Sequence, residues 1–319
     1  MALESKLPRC YGRDIREKQI TKVIFRRLLR FYLSHCPVTE GKGRLYRLLS
    51  ESLLPPESEV TAILPPGFHM NLDMSDPAQR EIFFFSTYER KETALVRKIL
   101  RPGDIFWDVG ASIGYYTLLA AACVGPAGRA VAFEPFAPAW DRLNANIALN
   151  AFRQVKCVNA VVGECEGEAD LFFERRAADG VATLAPTAAQ ISFVKCKKIP
   201  LDRFMADESE AHPTFIKADV EGSEKAVLDG AEKILTGAEP PMLLLEMEDE
   251  QFARHGTSKF EIQALLARNG YHAFQIAGRR WISCHDIQAA RCRNIFWLNP
   301  AAPLHRARAK GANLVFQNL

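Results

Sequence analysis

The stretch DVGASIG, Asp108 to Gly114, carries the first chemistry in the chain. It follows an apolar strand candidate and leads into an apolar helix candidate, so the turn at Gly110 gathers backbone N–H groups and the positive end of a helix dipole at one spot. Such a spot holds an anion, either the pyrophosphate of a dinucleotide or the carboxylate of the methionine part of S-adenosylmethionine. Asp108, directly before the turn, separates the two. A carboxylate there repels a pyrophosphate and suits a ligand that carries an ammonium and a sulfonium. The glycine pattern agrees, because Gly110 and Gly114 enclose Ala111, Ser112 and Ile113 in place of the GxGxxG spacing of dinucleotide binders. Asp108, Gly110, Ser112 and Gly114 are the expected cofactor contacts.

Two further strand ends add acids. Glu134, in AVAFEP, falls 26 residues after Asp108, where an acid accepts the ribose hydroxyls of a nucleoside lying across the strand ends. NAD enzymes share this acid, so it supports a nucleoside ligand without naming it. Asn159, near the end of the third strand, is placed to reach the adenine edge. In FIKADVEGSE, Lys217, Asp219 and Glu221 close a strand at its carboxyl end, which is where an open parallel sheet keeps its ligands. Asp219 and Glu221 are the expected catalytic pair, one acting as general base toward a hydroxyl or holding it in line for displacement. Glu221, Ser223 and Glu224 also suit a helix N-terminus. Glu246 and Glu248, in LLLEMED, extend the acidic edge; with Asp219 they offer ligands to a divalent cation, but a solvated acidic rim without metal is expected. The histidines are isolated from any nucleophile or second ligand, and His255 is placed to border an acceptor pocket.

The elements that must position these residues alternate. Strands are expected at Ile105 to Val109, Ala130 to Glu134, Val155 to Val162, Thr214 to Asp219, Met242 to Met247, Tyr271 to Ile276 and Asn294 to Leu298. Helices are expected at Tyr115 to Cys123, Ala137 to Asn150, Ser223 to Leu235 and Lys259 to Asn269. This alternation predicts a largely parallel sheet with helices on both faces. Between Glu168 and Ile199 the rhythm breaks, and Leu171 to Glu174 with Ser192 to Lys198 read as an inserted hairpin around a possible substrate lid. Upstream, Asp76 opens one or two helices that end before Pro102-Gly103. Val60 to Leu64 and Phe68 to Leu72 read as a hairpin around Pro65-Pro66-Gly67. Residues 13 to 35 form a basic amphipathic helix with Ile20, Ile24, Leu28 and Phe31 at helical spacing. That apolar face is expected to dock on the catalytic domain; contact with a membrane surface or an acidic partner is the alternative.

With 319 residues, 48% of them apolar, the chain can bury one large core or two modest ones. A formal charge of +3 gives little reason to expect a polyanionic partner such as nucleic acid. The eight cysteines include no CxxC pair and no zinc spacing, the first residues lack an apolar leader, and no uncharged apolar run reaches spanning length. A reducing cytoplasm is the expected location.

From Glu89 to Glu248 the chain resembles the FkbM family of S-adenosylmethionine-dependent methyltransferases. The motifs occur in order: YE before a helix, LRPGDIFWDVGASIGYYTLLAA, VAFEPFAPAWDRLNANIALN, PLDRF with FIKADVEGSE, then LLLEME. The resemblance implies a class I methyltransferase Rossmann-like fold with a seven-stranded, mostly parallel sheet and an antiparallel last strand. It also implies O-methylation of a hydroxyl on a sugar, glycolipid or polyketide. Ser112 stands where the family usually has asparagine, which bears on a cofactor contact, and Ala218 replaces a bulkier aliphatic. The division implied is an N-terminal extension over 1–75, a methyltransferase domain over 76–300 and a tail over 301–319. N-methylation of a small molecule and a non-catalytic nucleotide-binding protein are the alternatives. No Asn-Pro-Pro-aromatic signature follows the fourth strand to grip an amine.

Overall fold

The computed structural model describes residues 9–36, 38, 40–173, 182–186, 192–207, 210–278, 280–290, 292–312 and 314. They divide into two compact units, one of residues up to 65 with 69–88, the other of 66–68 with 89–319.

The first unit contains α1 (Arg9–His35), α2 (Lys42–Leu49), β1 (Glu59–Leu64), β2 (Phe68–Asp73) and α3 (Pro77–Phe85). α3 closes this unit. The α3 start follows from sequence chemistry: Asp76 accepts a hydrogen bond from the Gln79 amide at 2.9 Å, and Pro77 occupies the first turn, where its missing N–H costs nothing. β1 and β2 pair as the expected hairpin. Within this unit Ile20, Ile24, Leu28 and Phe31 are exposed, and the buried residues of α1 are Leu29 and Leu33. On that packed side the Arg30 Nε donates to the Phe83 carbonyl at 2.9 Å while its guanidinium lies 4.0 Å over the Phe83 ring. Lys42 Nζ donates to the carbonyls of Leu33 and Cys36, both at 2.6 Å, placing a cation at the negative end of the α1 dipole.

The second unit is built on a sheet of β3 (Ile105–Val109), β4 (Arg129–Phe133), β5 (Val155–Val158), β9 (Phe215–Ala218), β10 (Met242–Glu246), β11 (His272–Ala277), β12 (Arg280–Ser283) and β13 (Asn294–Leu298), in the order β12-β11-β13-β10-β9-β3-β4-β5. β10, β9, β3, β4 and β5 run parallel, and β13 is antiparallel to both β10 and β11. The sheet thus has eight strands, not seven. The added strand, β12, returns antiparallel from β11 beyond Gly278, whose φ of 62° suits a tight reversal.

Three other expectations are corrected. The strand predicted over Val155 to Val162 breaks at Asn159. β6 (Val161–Val162) leaves the main sheet and pairs with β8 (Ser192–Ile199), which pairs with β7 (Gly167–Phe173) in a separate three-stranded sheet. Glu174 and most of the chain joining β7 to β8, the predicted lid, lie outside the described residues. The helix predicted over Ser223 to Leu235 is divided into α8 (Glu224–Asp229) and α9 (Glu232–Thr236). At Gly230, between them, a Cβ would fall 2.1 Å from the Gly163 carbonyl oxygen. Asp202 of the PLDRF motif, on α7 (Leu201–Asp207), caps α9 by accepting from the Lys233 and Ile234 amides at 2.8 and 3.0 Å. The remaining helices are α4 (Arg90–Ile99), α5 (Tyr115–Val124), α6 (Ala137–Ala148), α10 (Asp249–Arg254), α11 (Lys259–Arg268) and α12 (Pro303–Gly311), the last within the segment predicted as a tail.

The two faces of the sheet differ. Trp107, Val109, Val131, Phe133, Ile216, Ala218, Leu243, Leu245, Ile295 and Trp297 all belong to one apolar core. The alternate residues form a second face whose character changes along the strands. Near the strand starts, Phe106 contacts Phe215, and Phe215, Phe274 and Trp281 each contact Phe296, with ring centroids 5.5 to 6.3 Å apart. Two residues onward in β3 and β9, the same face carries Asp108 and Lys217, which are partners in register.

Candidate active site

The glycine turn is held from three sides. The amides of Gly110 and Ala111 both donate to the Phe133 carbonyl at 3.0 Å, and the Ser112 amide donates to Glu134 Oε2 at 2.8 Å. These donors, expected to face a ligand, therefore fasten the turn to the end of β4. Gly110, at φ 79°, lies so close to the next strand that a Cβ would sit 2.0 Å from the Asp219 carbonyl oxygen. Gly114, at φ 94°, similarly leaves room for Leu143 of α6. Ser112 has a left-handed φ of 50°, a conformation in which asparagine is better tolerated than serine. Its departure from the family pattern thus bears first on backbone conformation.

Asp108 is fully buried and accepts from Thr117 Oγ of α5 at 2.6 Å. Burial raises its pKa against the pull of Lys217. Its carboxylate braces the first turn of α5. Glu134 is also buried; Oε1 accepts from the Phe136 amide at 2.8 Å, and burial pushes the carboxyl up to about 7. Each Glu134 oxygen accepts one backbone hydrogen bond and has a lone pair left for a hydroxyl. Asn159 donates its Nδ2 to the Glu134 carbonyl at 2.8 Å, which fixes its side chain at the break after β5.

Asp219 and Glu221 follow β9 in a loop where Glu221 is itself left-handed, at φ 56°. Lys217 Nζ lies 2.8 Å from Asp219 Oδ2. Burial alone would depress this ammonium, but Asp219, Glu89 and Asp108 raise it well above the ordinary lysine value. Burial acts on Asp219 in the opposite sense from Lys217, and Lys217 prevails, holding the carboxyl below its usual range. Glu246 ends the adjacent strand. Its Oε1 accepts from Arg293, while Oε2 is buried with no donor among the described residues and faces Asp219. Burial first, then Asp219, pushes Glu246 up to about 9. The two carboxyls therefore share one proton near neutral pH, with Asp219 ionised and Glu246 protonated.

Asp219, Glu221 and Glu246 each bring an oxygen within 4.8 Å of the others, a set that also matches the ligands of a divalent cation. The predicted solvated rim is corrected at Glu246, which is buried; Glu248 is the more open member, paired with Arg293 Nε at 2.7 Å. Glu221 accepts from Gln251 Nε2, and burial followed by the nearby Asp219 raises it to about 6.

The contacts of several site residues escaped sequence reasoning. Glu89, of the YE pair, adopts φ 39°, accepts from Tyr116 Oη at 2.8 Å and from Asn294 Nδ2 at 2.9 Å, and so joins α4, α5 and β13. The Lys217 ammonium lies 4.7 Å from the Tyr116 ring centroid. The motif order flagged Glu89; nothing local flagged Asn294 or Arg293. Glu224 is fully buried, accepts from the Val220 amide at 3.0 Å and is raised to about 8 by burial, so it secures the DVEG loop in its neutral form. Beside that loop a cleft of about 410 Å³ is lined by Asp170, Lys198, Gly222, Lys225, Asp229 and His255, which places His255 at a pocket wall.

The methyltransferase FkbM domain matches residues 108–273. The chain is similar, at 28% identity over 184 residues, to the AMB antimetabolite synthetase AmbE of Pseudomonas aeruginosa. That match covers 56% of this chain and 8% of the relative's length. Among solved structures, a SAM dependent methyltransferase from Aquifex aeolicus is 15% identical with a TM-score of 0.39, covering 70% of this chain and 94% of that one. A precorrin-6y C5,15-methyltransferase from Geobacter metallireducens is 12% identical with a TM-score of 0.37, covering 66% and 87%. With the family match spanning more than half of its length, from the Asp108 turn through Glu246 to β11, the chain belongs to the FkbM methyltransferase family.

Proposed function

We propose that the protein is an S-adenosylmethionine-dependent O-methyltransferase acting on a hydroxyl of a sugar, glycolipid or glycosylated or polyketide product. The observation that carries this reading is the convergence of Asp219, Glu221 and Glu246 within 4.8 Å at the carboxyl edge of the sheet. The donor set fits the cofactor. Glu134 offers free lone pairs to ribose hydroxyls, and an edge richer in acids than in bases suits a ligand bearing an ammonium and a sulfonium better than a pyrophosphate. Ser112, Gly114 and Asn159 border the same strand ends. When bound, S-adenosylmethionine supplies an electrophilic methyl group and leaves as the neutral thioether.

The two acids of DVEG then divide the work. Asp219, kept ionised by Lys217, accepts a hydrogen bond from the acceptor hydroxyl and orients its oxygen. Glu221, raised to about 6, is the better-matched base at neutral pH and takes up the hydroxyl proton as the new C–O bond forms. The polar cleft beside Gly222 supports a hydroxyl-rich acceptor, since its carboxylates and ammonium groups can satisfy several hydroxyls. A cytoplasmic location belongs to the same reading and is supported by the seven free cysteines of the described chain.

The test is calorimetric titration with S-adenosylmethionine, followed by radiolabelled methyl transfer to a panel of deoxysugar glycans. Binding and transfer are expected, with transfer lost in Asp219→Asn while cofactor affinity stays within a few-fold. No cofactor binding sinks the whole reading, and full activity in Asp219→Asn overturns its assignment.

A further inference from the structure

The apolar side of α1 contributes nothing to the core of its own unit. Ile20, Ile24, Phe25, Leu28 and Phe31 are 55%, 51%, 56%, 58% and 66% exposed. At 100° per residue they share one side of the helix with Tyr32, opposite the packed Leu29 and Leu33. A contiguous exposed stripe of this size marks an interaction surface. Its partner is indicated by charge: exposed Arg27 borders the stripe on one flank, and the α1 sequence holds eight Lys and Arg against two acids. The next helix exposes Arg44, Arg47 and Leu48.

We propose that α1 docks this face on an anionic lipid bilayer, lying in the plane of the interface. Ile24, Leu28 and Phe31 enter the acyl boundary, and Arg27 meets headgroup phosphates. Among the described residues no helix is long and apolar enough to cross a membrane, so α1 is an interfacial element. A second copy of the chain is the weaker occupant, because pairing two such faces brings two strongly basic helices together.

Co-sedimentation of the full chain with phosphatidylcholine vesicles, with and without phosphatidylserine, tests the proposal. Binding is expected to the phosphatidylserine vesicles and to weaken as salt is raised. Replacing Leu28 and Phe31 together by Glu is expected to reduce partitioning by more than about tenfold. Arg27→Glu should reduce it by about fivefold or more, since each basic residue near an anionic surface contributes about 1 kcal/mol. Both variants change exposed residues, so their melting temperatures and methyl transfer should match the parent. Equal binding to neutral and anionic vesicles, or no binding, overturns the proposal. So does a dimer in solution that Leu28→Glu dissociates, which would show that a second copy covers the face.

Discussion

Replacing Glu246 by Gln tests the shared proton at the heart of the site. In the folded protein this carboxyl is raised to about 9 by burial and by Asp219, whereas in the unfolded chain it titrates near 4.3. The folded state therefore binds the extra proton more tightly. The stability it contributes is complete below the unfolded value and is lost as pH rises through about 9. The slope is at most about 1.4 kcal/mol per pH unit. Gln has the shape of the protonated acid, keeps a donor toward Asp219 and binds no proton. Its stability relative to the parent should thus grow between pH 7 and 9 by about 2.3 kcal/mol. For a unit of this size that corresponds to a divergence of about 5 °C or more in melting temperature. Glu134 and Glu224 titrate in the same range in both proteins, so their effects cancel in the difference. Thermal denaturation of the two proteins at pH 7, 8 and 9 provides the assay. Parallel curves would refute the shared proton. Methyl transfer by the variant at neutral pH should fall within a few-fold of the parent, because Asp219 stays ionised and Glu221 is untouched.

Three other substitutions probe the turn and its neighbours. Gly110→Ala adds a Cβ 2.0 Å from the Asp219 carbonyl oxygen at a left-handed φ; a loss exceeding about 3 kcal/mol in urea unfolding is expected, and a loss under 1 kcal/mol would contradict this packing. Ser112→Asn, at φ 50°, should stabilise the protein by about 0.5–1 kcal/mol in the same assay, and destabilisation would count against a backbone origin for the family preference. Lys217→Met strands Asp219 beside Asp108 and Glu89, costing about 3–5 kcal/mol. Adding Asp219→Asn should recover part of that cost, and strict additivity of the two changes would deny the pairing.

The parallel sheet was legible because buried parallel strands must be near-continuous apolar runs and because this fold places its polar residues at their carboxyl ends. Asp108, Glu134, Asp219 and Glu221 could therefore be located by reading where each apolar run stops. What a carboxylate touches was not legible. The role of Glu89 depends on Asn294, 205 residues away in sequence, and the state of Glu246 depends on Asp219 one strand over. Helical spacing on α1 marked the side of Ile20, Ile24, Leu28 and Phe31 without showing what Leu29 and Leu33 pack against in their own unit, where Arg30 beside them meets Phe83 of α3. The break at Asn159 and the divided helix around Gly230 likewise follow from the second sheet and from the close approach of Gly163, neither of which leaves a periodic signal.

The polar face of the sheet explains how so many acids survive in a folded interior. Near the strand starts, Phe106, Phe215 and Phe296 exclude water and bind the layer above to a rigid base. In that upper layer each buried acid has a specific compensation: Thr117 for Asp108, backbone amides for Glu134, the Val220 amide and a proton for Glu224, Lys217 for Asp219, Arg293 and a proton for Glu246. Removing any one compensator leaves a buried charge exposed to its neighbours at low effective dielectric, where repulsion is strongest. Within the catalytic cluster, Glu221 is the least secured of these acids, held by Gln251 at a left-handed backbone position. Burial and the neighbouring Asp219 raise its carboxyl, and among the described residues nothing positive sits as close to it as Lys217 sits to Asp219, so one turn of chain supplies both a fixed anion and a base able to accept a proton.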